Sequence, residues 1–103
     1  EKHFQNVLFI LCRLCGLSVH AEYRTSSGRI DMLIETALHR YVFEFKIDQS
    51  AQVAMEQIRS KEYALPFASD DKKTTLIGIN LSTKTRTIDD YCVESLESSQ
   101  EVV

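Results

Sequence analysis

The chain has 103 residues, 44% hydrophobic and 26% charged, the proportions of one folded domain rather than of a disordered segment. Its 12 basic residues against 15 acidic ones leave a formal charge of −3. That balance excludes a non-specific nucleic-acid coat protein, but not an enzyme that confines its basic residues to one groove. No apolar run nears the ~18 residues of a membrane span, and no signal-peptide pattern is present. A helical pattern begins directly at Glu1, as in a piece of a longer protein. The expected organisation is one domain over residues 1–96 and a frayed tail at 97–103.

Phe4, Val7, Leu8, Leu11, Leu14 and Cys15 recur at three- and four-residue spacing, the pattern of a helix with one apolar face that Gly16 ends. Cys12 and Cys15 form a CxxC whose only other cysteine is Cys92, too few for a four-ligand zinc site. A thioredoxin-like pair needs a helix N-terminus, and this pair sits at the opposite end. Both thiols are therefore expected to pack as small buried hydrophobes, in a reducing, cytoplasmic setting.

Leu17 to Arg24 alternates, with Val19, Ala21 and Tyr23 on one face. After a turn at Thr25-Ser26-Ser27-Gly28, Ile30, Met32 and Ile34 oppose Arg29, Asp31, Leu33 and Glu35. Tyr41 to Ile47 is a third strand, with Tyr41, Phe43, Phe45 and Ile47 on one face and Val42, Glu44 and Lys46 on the other. A second helix follows, capped by Asp48 or Ser50, with a buried stripe of Ala51, Ala54, Met55, Ile58 and Leu65 and a stop at Pro66. Ala68 to Lys73 reads as a loop, Thr74 to Leu81 as a buried strand, and Thr87 to Leu96 as an edge strand. The order α-β-β-β-α-β-β predicts an α+β fold. Its meander is joined by a helical crossover to a parallel fourth strand, giving a mixed sheet flanked by helices.

Period-two geometry places Glu44 and Lys46 on one face, about 6.6 Å apart. If the second and third strands pair, Asp31 lies beside Glu44. Two adjacent carboxylates repel unless a cation or proton separates them. A hard divalent ion, Mg²⁺ with Mn²⁺ as its substitute, satisfies both, with the Phe45 backbone carbonyl and waters completing the shell. Lys46 then stands where it can orient a water or face charge developing on a phosphate. The competing reading is a cross-strand ion-pair cluster on a half-solvated sheet face.

Gly28-Arg29-Ile30-Asp31 followed by Glu44-Phe45-Lys46 resembles the PD-(D/E)xK nuclease superfamily, with its restriction-endonuclease-like α-β-β-β-α-β core. More narrowly, the chain resembles the nuclease-like domain found C-terminal to AAA-type ATPase-like domains in bacteria. That likeness rests on Glu22, the GRID and FEFK segments, Ala54-Met55-Glu56-Gln57-Ile58, Lys61 and Tyr63. The resemblance implies that Asp31 and Glu44 are metal ligands, Lys46 the catalytic lysine and Gln57 an assisting residue. Glu22 is a candidate second-metal carboxylate or substrate contact. Arg29, Lys61 and Tyr63 are candidate nucleic-acid contacts, Tyr63 by stacking on a base or, in the competing reading, as a staple between helix and sheet.

The expected function is metal-dependent hydrolysis of nucleic acid, DNA in the first instance, by a homodimer-capable domain of a larger ATPase-containing protein. The alternative is a catalytically silent nuclease-like module that binds nucleic acid or a protein partner. A scaffold unrelated to nucleic acid has no positive support in the sequence.

Overall fold

The computed structural model describes residues 2–26, 28–63 and 71–96. The elements run α1 (Lys2–Leu14), β1 (Ser18–Thr25), β2 (Gly28–Glu35), β3 (His39–Ile47), α2 (Ala51–Ser60), β4 (Lys73–Ser82) and β5 (Thr87–Leu96). The sheet order is β1-β2-β3-β4-β5, antiparallel throughout except for the parallel β3–β4 pair. This is the predicted order and the predicted mixed sheet. Among the described residues no helix is long and apolar enough to cross a membrane. The expected tail at 97–103 and most of the expected loop, with Leu65 and Pro66, lie outside the described residues.

The two faces of the sheet carry separate cores. Leu33, Val42 and Leu76 pack with Met55 and Ile58 of α2, while Met32, Ile34, Phe45 and Ile79 pack with Leu8, Phe9 and Cys12 of α1. β3 alternates as predicted, Val42 facing α2 and Tyr41, Phe43 and Phe45 facing α1. The face of α1 is a correction: Gln5, Leu8, Phe9 and Cys12 turn inward, whereas Val7, Ile10, Leu11, Leu14 and Cys15 are exposed. Apolar residues fill this helix on nearly every side from Val7 to Leu11, so periodicity alone does not select the buried face. Of the two clustered thiols only Cys12 packs into the core, where burial pushes its pKa up. Gly16, at φ +81°, ends the helix in the left-handed conformation, with Leu17 N–H donating to the Cys12 carbonyl and Gly16 N–H to that of Arg13.

A second correction concerns the β1–β2 hairpin. Alternation predicts that Val19 and Tyr23 share a face, and likewise Met32 and Ile30. Instead, Val19 and Met32 join the α1-side core, and Tyr23 and Ile30 the α2-side core. The reversal falls at Glu22 and Asp31. Pairs flank them on both sides, Ala21↔Met32 and Tyr23↔Ile30, and Glu22 takes φ +54°, which a non-glycine strand residue rarely adopts. The β2–β3 ladder also stops here, its last pair being Met32↔Phe43. The distal hairpin thus bends over the α2 side, and β2 parts from β3 at Asp31.

Helix α2 is held by three neighbouring elements. Ser50 is its cap, accepting the Val53 N–H at 3.1 Å. Asp48 is not the cap, but accepts the Thr83 N–H at 3.0 Å and hydroxyl at 2.6 Å. Asn80 Oδ1 accepts the Gln49 N–H at 2.9 Å, and Asp90 Oδ2 accepts the Ala51 N–H at 3.1 Å. Gly78 lies directly beneath the helix: a Cβ there would stand 2.7 Å from the Ala51 carbonyl oxygen. Since Gly78 pairs with Glu44 in the parallel ladder, this close approach brings α2 down onto the strand that carries Glu44 and Lys46.

Candidate active site

The bend in β2 and the close seat of α2 converge on one end of the sheet. Asp31 and Glu44 are the next positions along the β2–β3 register, just beyond its last paired residues. In place of a ladder bond, the Phe45 N–H donates to Asp31 Oδ2 at 2.8 Å. That bond holds the carboxylate against β3, adjacent to Glu44. Glu44 itself is buried, on the strand face that looks toward α2.

Gln57 joins the strand residues through both ends of its amide. Lys46 Nζ donates to Gln57 Oε1 at 2.5 Å, and Gln57 Nε2 donates to Glu44 Oε2 at 2.6 Å. Glu44 and Lys46 share the strand face predicted by alternation, and Gln57 lies two turns into α2, where Ser50, Asn80 and Asp90 set the helix's origin. The lysine charge is thereby directed to a neutral amide rather than to a carboxylate. Asp31, Glu44, Lys46, Gln57 and the Phe45 backbone are brought together; the other candidates are placed differently.

Glu22 is level with Asp31 across the β1–β2 ladder and pairs with Arg29 at 3.8 Å. Among the described residues no group of three or more His, Cys, Asp or Glu side chains is placed to hold a metal ion. Arg29 and Lys61 are exposed, as phosphate contacts must be. Tyr63 is only 2% exposed and belongs to the α2-side core, which corrects the expectation of a base-stacking platform. The cause is the end of α2. Glu62 turns left-handed at φ +53°, and the Tyr63 N–H returns to the Ile58 carbonyl at 3.2 Å. The ring then lies over the hairpin, where a Cβ on Gly28 would meet its hydroxyl at 3.1 Å. Tyr63 is the staple.

Sequence reasoning missed Gln5. It is 5% exposed on the inward face of α1 and donates from Nε2 to the Asp31 carbonyl at 2.7 Å. Its position three residues before Leu8, four before Phe9 and seven before Cys12 was the available signal, once the buried face was known.

Among known proteins, one relative is described as an uncharacterized protein in the vnfD 5′ region of Azotobacter chroococcum mcd 1. It is 34% identical over 98 residues, which cover 93% of this chain and 19% of the relative. The chain thus spans about a fifth of that relative's length. No solved structure matches it. A family model described as the PD-(D/E)XK nuclease superfamily matches residues 1–91. Nucleases of this superfamily usually use divalent metals, and the mixed sheet with its two flanking helices is consistent with their restriction-endonuclease-like fold. As that match runs from α1 through the hairpin and the Asp31, Glu44 and Lys46 positions into β5, the chain belongs to the PD-(D/E)XK nuclease superfamily.

Proposed function

We propose that this domain hydrolyses phosphodiester bonds of nucleic acid, specifically DNA, with Mg²⁺ as its ion and Mn²⁺ as a substitute. The observation that carries the reading is the Gln57 amide between Lys46 and Glu44. In a merely stabilising cluster, the ammonium gains most by closing directly on a carboxylate. Here a neutral group holds it to one side and leaves its charge for something else.

The donor set suits a hard cation. Asp31, Glu44 and the Phe45 carbonyl present oxygen only, from two strands whose ladder has opened between them. These groups would hold the ion, which when bound sets positive charge against the phosphate and acidifies a water. Lys46 meets the negative charge that builds on the phosphate during the reaction. Gln57 fixes both Lys46 and Glu44 without neutralising either. Arg29 and Lys61 contact phosphates of the nucleic-acid backbone, and Glu22 acts through the Arg29 guanidinium it pairs with. In the longer protein the domain accompanies an ATPase-like domain in the cytoplasm and pairs with a second copy; the relative's much greater length leaves room for such a partner domain.

Cleavage of labelled DNA and Mn²⁺ titration calorimetry test this on wild type, Asp31→Asn and Glu44→Gln. Wild type should cleave only with a divalent ion, and both variants should lose cleavage and Mn²⁺ uptake while remaining folded. Loss of a neighbouring like charge should leave their stability unchanged or slightly raised. A second reading, the silent binding module, draws on the acidic balance of the chain, 12 basic against 15 acidic residues. It prevails if wild type binds DNA but neither cleaves it nor takes up Mn²⁺.

A further inference from the structure

Among the described side chains, Gln5 is the polar one on the inward face of α1, beside Leu8, Phe9 and Cys12. Burying a carboxamide costs free energy unless it is hydrogen-bonded, so the placement of Gln5 beside Leu8, Phe9 and Cys12 calls for a physical reason. Its Nε2 donates to the main-chain carbonyl of Asp31, 26 residues away in sequence. That carbonyl lies where β2 leaves the β3 ladder and where the hairpin reverses its faces. Asp31 is therefore gripped twice, at its main chain by Gln5 from the α1 side and at its carboxylate by the Phe45 N–H. Past the last ladder pair, these side-chain bonds occupy the place where regular strand pairing would otherwise set the backbone.

We infer that Gln5 is a positioning residue: it fixes the bent backbone at Asp31 so that the carboxylate stays aimed at the Glu44 side of the sheet, and it thereby sets divalent-ion affinity. This rests on the metal-site reading above. Gln5 touches neither ion nor substrate; it acts through Asp31. Supporting groups of this kind typically change metal affinity by about 10–100-fold.

The test uses Gln5→Met, similar in length but without a donor, and Leu8→Ala, which removes packing from the same helix face but keeps the donor. Mn²⁺ affinity is measured by calorimetry, and amide hydrogen exchange by NMR without metal. Gln5→Met should weaken Mn²⁺ binding by about 10-fold or more. It should also speed exchange of the Phe45 amide, which reports the bond to Asp31 Oδ2, while the Ile34 and Tyr41 amides, paired across the intact ladder, keep their rates. Leu8→Ala should lower thermal stability but alter neither the Phe45 exchange rate relative to that ladder nor Mn²⁺ affinity. Unchanged Phe45 exchange in Gln5→Met, or equal losses of affinity in the two variants, overturns the proposal. If wild type takes up no Mn²⁺, the metal reading fails separately, and Phe45 exchange alone decides whether Gln5 positions Asp31.

Discussion

The strand pair β2–β3 ends in two polar clusters built on opposite principles. At one end Glu35 and Arg40 face each other within the ladder. Glu35 Oε2 accepts Arg40 Nε at 3.0 Å and has Lys72 Nζ at 3.6 Å, while His20 Nε2 lies 3.9 Å from Oε1. Arg40 is 3% exposed, and cations crowd a single carboxylate. At the other end the ladder has opened, two carboxylates stand against one ammonium, and an amide keeps that ammonium from closing on Glu44. The first arrangement satisfies its own charges, as a structural cluster must when it is buried. The second places two carboxylates where the backbone has parted and joins Glu44 to Lys46 through the Gln57 amide. Residue types are similar at both ends; continuity of the ladder and the position of Gln57 tell them apart.

Removing one charge at each end should break the comparison most visibly. Lys46→Ala should lower kcat by roughly 10²–10³-fold, as for loss of one preorganised electrostatic group. Its Mn²⁺ affinity should not fall, and its melting temperature should change little. Glu35→Gln should do the reverse, leaving kcat nearly unchanged while costing about 1.5–3 kcal/mol of stability, because Arg40 stays buried with a weaker partner. Steady-state kinetics, calorimetry and denaturant unfolding measure the two. A Lys46→Ala protein that cleaved normally would make the two clusters alike.

Gly78→Ala sharpens the comparison by moving α2 rather than a charge. With Ala51 so close above it, the added methyl forces the helix off the sheet, at about 1–3 kcal/mol. Because Gln57 rides on that helix, kcat should also fall, which no equal destabilisation at the Glu35 end should cause. Comparison with Glu35→Gln, at matched stability, reads the difference directly.

The smallest effect concerns the loop that leads from β3 to α2. The Thr83 hydroxyl and N–H hold the Asp48 carboxyl below the usual carboxylate range. A depressed folded pKa contributes stability above the unfolded value of about 3.9, and that contribution is lost as pH falls through the folded pKa. Asp48→Asn tolerates the same left-handed backbone, removes the charge and keeps an acceptor for the Thr83 N–H, while its amide donates to the Thr83 hydroxyl instead of accepting from it. Its deficit in melting temperature should be flat above about pH 5 and close as the pH falls below 3.9 toward the folded pKa.

Much of this was legible from local chemistry. The strand order, the shared face of Glu44 and Lys46, Ser50 as one of two candidate caps and Gly16 as a stop all depend on nearest neighbours or on period-two alternation. Three features were not. The inward face of α1 was hidden because Val7-Leu8-Phe9-Ile10-Leu11 offers apolar side chains to every direction. Burial of Tyr63 was hidden because it depends on Glu62 turning left-handed after α2 ends at Ser60, well before the predicted stop at Pro66. The reversal at Glu22 and Asp31 was hidden because alternation assumes an unbroken ladder, and this one is broken where β2 leaves β3.

The sequence by itself determined which candidate side chains stand on which strand or helix, since carboxylate, lysine and amide side chains at strand and helix spacing are properties of the chain's order. Only the tertiary structure decided what those residues face. Gln57 reaches Glu44 and Lys46 because Gly78, Asn80 and Asp90 seat α2 from strands that follow it in the chain. Gln5 reaches the Asp31 carbonyl because the sheet selects one side of a helix that is apolar on nearly all of them. Both are contacts between segments far apart in sequence, and their geometry is set by packing and by the need to satisfy buried polar groups, which no local periodicity encodes.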